Sequence, residues 1–391
     1  MMEPVTDLER WQRFVAQLDE LGRTITSPPF PADPASDLEG LRHLALQAVC
    51  WMEWSLAHQD PCAPMFQRQN DLVLQWGGPN ADNIYRHARV HPSYTYRIVG
   101  RMHSCEDFIL AIRRNFMHME NNGTIAELSG HELGLRPGDD FEILLGGEGD
   151  EPNRVPLPDE ALSVSIREYY FDWQPREPAT FTIECLDADG PSAPFTSESL
   201  AFGLDEAATH LHRSLTYWNQ YMLDARAEQT DNVFGGGYDV KRGLAAAKYA
   251  FCFYDLGPDE ALVVDCDIPD SRYWSFHLYS LAWWEALEFA TRVSTRNHTQ
   301  TRISDDGRIR VVVAHEDPGV ANWLDTEGRR EALLTLRWFW PRGDPPSPTA
   351  RVVKLADVRA ALPDDEPVVT PDQRRAEIKA RRDHVAWRFR T

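Results

Sequence analysis

The spacing of hydrophobic residues changes from a helical period to a strand period after about the first 60 residues, and no other feature restricts the fold as strongly. Leu8 and Trp11 recur at helical spacing behind a capping box formed by Thr6 and Glu9. From about Leu72 onward, short segments alternate between apolar and polar residues, as half-buried strands do. The pattern therefore predicts a helical beginning followed by a mainly antiparallel β structure.

The predicted strands are bounded by glycine, proline, asparagine or aspartate, which favour turns. They are residues 94–102, 124–128, 141–145, 164–170, 181–185, 249–254, 261–265, 273–280, 299–303, 308–314 and 333–340. Two helices are predicted among them, a short one at 104–112 with Ser104 as its cap and a long one from Asp205 to about Glu228. Several short strands at this spacing are typical of a sandwich or jelly roll.

These patterns predict an α+β protein with five segments. A helical N-terminal segment (1–70) is followed by a β-rich region (71–195), a helical connection (196–243), a β-sandwich or jelly-roll-like C-terminal module (244–345), and a tail with a basic helix (346–391). At 391 residues the chain can bury a large core without metal or disulfide staples.

The charge balance restricts the possible partners. With 40 basic and 61 acidic residues the net charge is −21, which repels nucleic acid and anionic membrane surfaces. No stretch of about 18 apolar residues predicts a membrane span, and the first ten residues lack the pattern of a secretory signal. The six cysteines contain no CxxC pair and are expected to be buried thiols in a reducing compartment, so the expected location is cytoplasmic.

Most of the usual catalytic signatures are missing from the sequence. There is no GxSxG, HExxH or P-loop motif, and no GxGxxG follows a strand, so no nucleotide cofactor is expected. The other cofactors are left open.

The densest group of polar residues lies between Ser271 and Trp338. Asp306 and Gly307 predict a hairpin turn, which would place His298 opposite His315 at one end of the sheet. Together with Asp317, the two imidazoles would act as general acid and base, or would themselves bind a transition metal. The alternative is structural: the histidines cap strand ends, Asp317 organises a turn and Asn322 bonds backbone.

The same stretch contains residues suited to hold an anionic group or to wall a pocket. The predicted substrate-binding residues are Arg272, Tyr273, Trp274, Asn297, Asn322, Trp323 and Arg337.

Several of these residues lie in motifs that resemble a known family. SRYWSFHLYS at 271–280, NHTQ at 297–300 and DPGVANWLDTEG at 317–328 are similar to the family called domain of unknown function 1214, over about 244–340. PNADNIY at 79–85 and SIREYYFDW at 165–173 also resemble segments that precede this module in relatives, where a domain numbered 1254 often accompanies it. The resemblance implies a β-sandwich of jelly-roll character and no established activity.

Three functions remain open at this point. The first is a hydrolase, lyase or isomerase that acts on a small organic molecule in an aromatic-lined cleft. The second is a non-catalytic module that binds a small molecule or carbohydrate with the same arginines and aromatic rings. The third is a structural subunit of a homo-oligomer.

Overall fold

A computed structural model describes residues 5–30, 34–174, 177–235, 244–343 and 346–391. The chain divides into two compact units, each assembled from separate stretches of sequence. Unit 1 contains residues 1–77, 83–169 and 178–221, and unit 2 contains residues 78–82, 170–177 and 222–391. The predicted helical connection 196–243 ends in eight residues that lie outside the described part of the chain.

The helices of the N-terminal part form where the sequence predicts them. Helix α1 (Asp7–Ile25) begins at the predicted capping box, in which Thr6 accepts a hydrogen bond from the backbone N–H of Glu9. Helix α2 (Pro34–Met52) continues into a π-helical turn at Glu53–Ala57. Helix α3 (Ser197–Ala227) contains the long predicted helix but begins eight residues before Asp205, because the Thr196 hydroxyl accepts from the N–H of Ser199.

Unit 1 contains two open sheets. Its strands are β1 (Gln67–Arg68), β2 (Asn83–Arg89), β3 (Tyr96–Arg101), β4 (Asp107–Asn115), β5 (Gly123–Ser129), β6 (Asp140–Leu145), β7 (Arg154–Val155), β8 (Ser163–Tyr169) and β9 (Thr180–Cys185). Sheet I has the order β1-β2-β8-β4-β5 and sheet II the order β7-β6-β3-β9. All pairs are antiparallel except β6 with β7.

The short helix predicted at 104–112 is wrong, because this stretch belongs mainly to strand β4. Phe108, Ile109, Leu110, Ala111 and Ile112 are all buried, and β4 pairs on both sides, with β5 and β8. A short, continuous apolar run fits the centre of a sheet as well as a helix, and pairing on both edges decides for the strand.

Unit 2 is built on two four-stranded sheets. Its strands are β10 (Ala247–Asp255), β11 (Glu260–Cys266), β12 (Ser271–Tyr279), β13 (Thr295–Asn297), β14 (Ile309–Ala314), β15 (Trp323–Asp325), β16 (Glu331–Pro341) and β17 (Thr349–Lys354). Sheet III has the order β10-β16-β12-β13 and sheet IV the order β15-β14-β11-β17. One apolar core contains residues of both sheets, including Leu336 and Trp274 of sheet III and Val264 and Val311 of sheet IV, so the two form a sandwich.

The hairpin predicted around Asp306 and Gly307 forms only next to its turn and does not extend into a strand pair. The turn is present, but only a single bridge, Ile303 with Ile309, connects its two sides. Strand β14 pairs instead with β11 and β15. The valine run of β14 is apolar on both sides, so it takes a central place between two strands and is not one arm of an isolated hairpin.

The C-terminal segment after β17 contains two short 3₁₀ turns, Leu355–Asp357 and Arg359–Ala361, and helix α4 (Pro371–Phe389). Its capping box is formed by Thr370 and Gln373. Among the described residues, no helix combines the length and the apolar character needed to cross a membrane.

Candidate functional site

The two faces of sheet III differ sharply in polarity. Strand register places Tyr249, Arg337, Ser275 and Asn297 side by side across the four strands. Because side chains alternate along a strand, Tyr273, His277 and Tyr279 of β12 share this face, and Trp274, Phe276 and Leu278 point into the sandwich core. We call the first of these surfaces the polar face of sheet III. It is almost entirely buried.

Residues 78–82, which we call the GPNAD segment, are held by this face. The Gly78 carbonyl accepts a hydrogen bond from Arg337 Nη2 at 3.0 Å, and the Pro79 carbonyl accepts one from the Tyr279 hydroxyl at 2.7 Å. Gly78 has a φ of +68°, and a side chain there would collide with the Trp284 ring. Glycine at this position therefore lets the segment approach the sheet closely.

Asp82 is the buried carboxylate at the end of the GPNAD segment. It accepts hydrogen bonds from Trp173 Nε1 at 2.6 Å, from Asn297 Nδ2 at 2.8 Å and from the Tyr273 hydroxyl. Burial by itself would raise the pKa of Asp82, but His277, Tyr273 and the charge of Arg388 lower it to about 2. The carboxylate is therefore ionised at neutral pH and is stabilised by several donors.

His277 lies beside this carboxylate. Its Nε2 is 3.8 Å from Asp82 Oδ2, which is too long for a direct hydrogen bond. Burial lowers the pKa of His277 to about 4, and the contact with Asp82 only partly opposes this. Burial and the neighbouring Asp82 charge raise the pKa of Tyr273 well above its ordinary value. At neutral pH the cluster thus contains an anionic Asp82, a neutral imidazole and a protonated tyrosine.

One row of the polar face has hydrogen-bonding capacity left over. Thr335, His277 and Thr295 are direct neighbours on three adjacent strands, and each is at most 2% exposed. Thr335 Oγ1, His277 Nε2 and Thr295 Oγ1 have no hydrogen-bond partner among the described residues. We call these three residues the polar row. Buried polar atoms in folded proteins are nearly always hydrogen-bonded, so we expect a ligand or ordered water to bond the three atoms of the polar row.

Three predicted binding residues lie on the polar face. Tyr273 and Asn297 both donate to Asp82, and Arg337 holds the Gly78 carbonyl and lies 5.4 Å from the ring centroids of Tyr249 and Tyr279. The structure therefore brings these three together.

The three predicted acid–base residues have separate surroundings. The His298 ring lies 5.0 Å from Phe171, and burial lowers its pKa. His315 contacts the Thr326 hydroxyl at 2.6 Å through Nδ1. Asp317 accepts from the N–H of Gly319 and from Arg374. The predicted pairing of His298 with His315 is wrong because β14 pairs with β11 and β15 and leaves the two histidines in different places.

The remaining predicted binding residues take part in packing and turns. The Arg272 guanidinium lies 4.6 Å from the Trp340 ring centroid, and Trp274 belongs to the sandwich core. Asn322 donates to the carbonyls of Arg302 and Arg310, and Trp323 Nε1 donates to the Ala314 carbonyl.

Metal binding was an open possibility for His298 and His315. The described part of the chain contains no group of three or more histidine, cysteine, aspartate or glutamate residues arranged to hold a metal ion. The residues that have lone pairs at the polar row are one histidine and two threonines, which is a weak set for a transition metal.

Sequence analysis did not identify five residues on or beside the polar face of sheet III as site residues. They are Asp82, Trp173, His277, Thr295 and Thr335. A signal for His277 was present, since Tyr273, Ser275, His277 and Tyr279 alternate with apolar residues along one strand. Two of the quoted motifs also contain Asp82 and Trp173, but the sequence pattern did not show that they meet β12.

Comparison with known proteins supports the fold and names no activity. Residues 258–343 match the family described as Protein of unknown function (DUF1214). The resemblance predicted for the C-terminal half is thereby confirmed, and the DUF1214 match includes all of β12, β13 and β16. No curated protein matches the chain in sequence.

The solved structures that resemble the chain include the following two. An uncharacterised protein from Burkholderia cenocepacia has 27% identity and a TM-score of 0.83, and the alignment covers 89% of this chain and 97% of that one. A protein from Vibrio parahaemolyticus has 13% identity and a TM-score of 0.48, with 80% of this chain and 97% of that one covered. The first likeness extends the shared fold well beyond the DUF1214 match.

Proposed function

We propose that unit 2 binds a small hydroxylated organic molecule with an anionic group at the polar face of sheet III. The observation that carries the proposal is the polar row, in which three buried polar atoms on adjacent strands have no partner among the described residues. Leaving such groups without partners costs about 1–3 kcal/mol each, so the row is suited to a ligand with several hydroxyl groups.

The neighbouring residues favour an anionic ligand with an apolar side. Arg337 lies two residues from Thr335 along β16, on the same face, and its guanidinium suits a carboxylate. Phe251 pairs directly with Thr335 and offers an aromatic surface at the end of the row. A polyhydroxy acid combines these chemical features.

The test uses D-gluconate as the probe and D-glucose as its neutral counterpart. Isothermal titration calorimetry on the full chain is expected to show saturable binding of gluconate and weaker binding of glucose. Thr335→Val keeps the side-chain shape and removes one hydroxyl, so gluconate affinity should fall about two- to tenfold, which corresponds to about 0.5–1.5 kcal/mol.

The matched control is Thr326→Val. The Thr326 hydroxyl contacts His315 and is not one of the three polar atoms of the row, so this variant should lower thermal stability and leave gluconate affinity unchanged. Absence of saturable binding to the wild-type chain, or equal affinity in Thr335→Val, would contradict the proposal.

A second candidate is acid–base catalysis at the same place, favoured by the 3.8 Å contact between His277 and Asp82. In that case neutral His277 accepts a proton from the bound molecule and the protonated Tyr273 donates one. His277→Asn should then bind gluconate and fail to convert it, with conversion followed by ¹H NMR. If the wild-type chain does not convert gluconate, the catalytic proposal is contradicted and only the binding proposal stands.

A further inference from the structure

A second set of buried polar groups lies in unit 1, on sheet I. Asn83 and His87 belong to β2 and, being four residues apart, point to the same face of the sheet. Asn83 is 1% exposed and His87 is 5% exposed. Both side-chain polar atoms of Asn83 and both ring nitrogens of His87 lack a hydrogen-bond partner within the described ranges. Four such atoms on one strand are a concentration that packing alone does not explain.

Two arginines give this face its charge near His87. Strand register places Ser165 opposite His87 and Arg167 opposite Tyr85, and on the next strand Arg113 lies opposite Ser163, so all of them share the face. Burial, together with the charges of Arg113 and Arg167, lowers the pKa of His87 to about 3. The imidazole is therefore neutral and lies in a positive field.

Two carboxylates also lie on this face, but neither is among the charges that act on His87. Glu127 on β5 is opposite Ala111, and its charge acts on Arg113. Asp107 accepts hydrogen bonds from the backbone N–H groups of Phe108 and His131 at the other end of the strand. The charges acting on His87 itself are the two guanidinium groups.

Aromatic rings border the same histidine. The His87 ring centroid lies 5.4 Å from that of Phe116 and 6.1 Å from that of Trp76. Trp51 packs edge-on against Phe116 at 5.0 Å and extends this aromatic surface. A ligand that reaches His87 would thus meet hydrogen-bonding and cationic groups on one side and flat apolar rings on the other.

We propose that this face of sheet I is a second binding site, and that it takes a small organic acid with a carboxylate head and an aromatic body. Asn83 and His87 donate to the carboxylate through their side-chain N–H groups, Arg113 and Arg167 supply the opposite charge, and Phe116 and Trp76 pack against the ring. The site is independent of the polar row in unit 2, since it uses residues of unit 1 alone.

The experiment titrates the full chain with benzoate, and with benzamide as the neutral probe of the same shape. Saturable benzoate binding is expected, with benzamide at least tenfold weaker. Asn83→Leu replaces the amide with an apolar side chain of similar size. This variant should keep or exceed the wild-type thermal stability without ligand and should lose at least tenfold in benzoate affinity.

Two further measurements distinguish this site from the polar row and test it directly. Thr335→Val, in the polar row, should bind benzoate like the wild-type chain, so a failure of the gluconate proposal does not affect this one. The imidazole ¹⁵N shifts of His87, assigned with a His87→Phe variant, should change as benzoate saturates the site. Wild-type affinity in Asn83→Leu, unchanged His87 shifts, or binding of inorganic phosphate but not benzoate would overturn the proposal.

Discussion

At the scale of single residues, the Tyr273 hydroxyl lies within hydrogen-bond distance of three side chains in the Asp82 cluster. Its hydroxyl donates to Asp82 and lies 2.9 Å from Asn80 Oδ1 and 2.8 Å from Ser275 Oγ. Tyr254, on the opposite face of sheet III, is equally buried, but its hydroxyl has no hydrogen-bond partner in the described part of the chain. The hydroxyl group of Tyr273 is therefore expected to stabilise the fold, and that of Tyr254 is not.

Tyr273→Phe is expected to lower the free energy of unfolding by about 1–3 kcal/mol, because it leaves a buried carboxylate short of a donor. Tyr254→Phe is the matched control and should leave the free energy of unfolding unchanged or slightly higher. Urea denaturation of both variants measures the difference. Equal losses in the two variants would mean that the Tyr273 hydrogen bonds add nothing to stability.

A second residue-scale prediction concerns the protonation of Asp82. Its folded-state pKa is lowered to about 2 from 3.8, so its stabilising effect is present above about pH 4 and is lost as pH falls toward 2. Asp82→Asn should therefore be less stable than the wild-type chain at pH 7, and the gap should narrow below pH 4. Chemical denaturation at pH 7 and pH 3 tests this, and a gap that does not change with pH would contradict it.

Sequence analysis identified some residues of the site and missed others, because the missed residues meet their partners only through contacts between distant parts of the chain. Tyr273, Asn297 and Arg337 were found because they lie in one motif-rich stretch. Asp82 was missed as a site residue because its partners Tyr273 and Asn297 are 191 and 215 positions away. Nothing in local spacing encodes contacts of that range. The wrong pairing of His298 with His315 has a related origin, since a turn alone does not fix which strands become neighbours.

At the scale of elements, helix α4 is attached to unit 2 by buried arginines. Arg374 is 4% exposed, forms an ion pair with Asp317 at 2.9 Å and donates to the Val320 carbonyl at 2.6 Å. Its neighbour Glu377 forms an ion pair with the buried Arg296 at 2.6 Å. Arg375, one residue along, is exposed and forms an ion pair with Asp372 within the first turn of the helix.

Arg374→Met should lower the free energy of unfolding by about 3–5 kcal/mol, because it leaves Asp317 without its buried cationic partner and removes one of the two cationic partners of Glu377. The matched variant Arg375→Met should change it by less than about 1 kcal/mol, since its ion pair is exposed to solvent. Thermal and urea denaturation measure both. Similar values for the two variants would show that the helix is not anchored through Arg374.

Element prediction succeeded where the hydrophobic period was unambiguous. Helix α1 was predicted from its capping box, and β3 and β9 from their alternation. Strand β4 was mistaken for a helix because an apolar run shorter than ten residues has no decisive period. The basic C-terminal helix was also predicted, but its composition did not show that Arg374, Arg381 and Arg388 would be buried. Burial of a charged side chain depends on partners that lie elsewhere in the chain.

At the scale of the whole molecule, several buried histidines make stability depend on pH. Burial lowers the pKa of His87, His210 and His384 to about 3 and that of His277 to about 4. Their ordinary value is 6.5, so the unfolded chain takes up protons first as pH falls. The contribution of these histidines to the free energy of unfolding is therefore fully present above about pH 6.5 and decreases progressively below that pH.

Each such histidine should cost about 1.4 kcal/mol of stability per pH unit between pH 6.5 and about 4. Urea denaturation at pH 7, 6 and 5 should show a steep fall in the free energy of unfolding. The His87→Phe variant should show a shallower fall, because one of the contributing groups is gone. A profile that is flat from pH 7 to pH 5 would contradict this prediction.

The division of each unit into separate stretches of sequence has a consequence for how the protein is made. The Ala81 carbonyl, beside Asp82, accepts a hydrogen bond from Arg388, which is 307 positions later in the chain. At translation rates of about 5–20 residues per second, the GPNAD segment is made about 15–60 s before Arg388. During that interval the Asp82 carboxylate lacks its full set of partners. Unit 2 can therefore complete its interior only after Arg388 has been made.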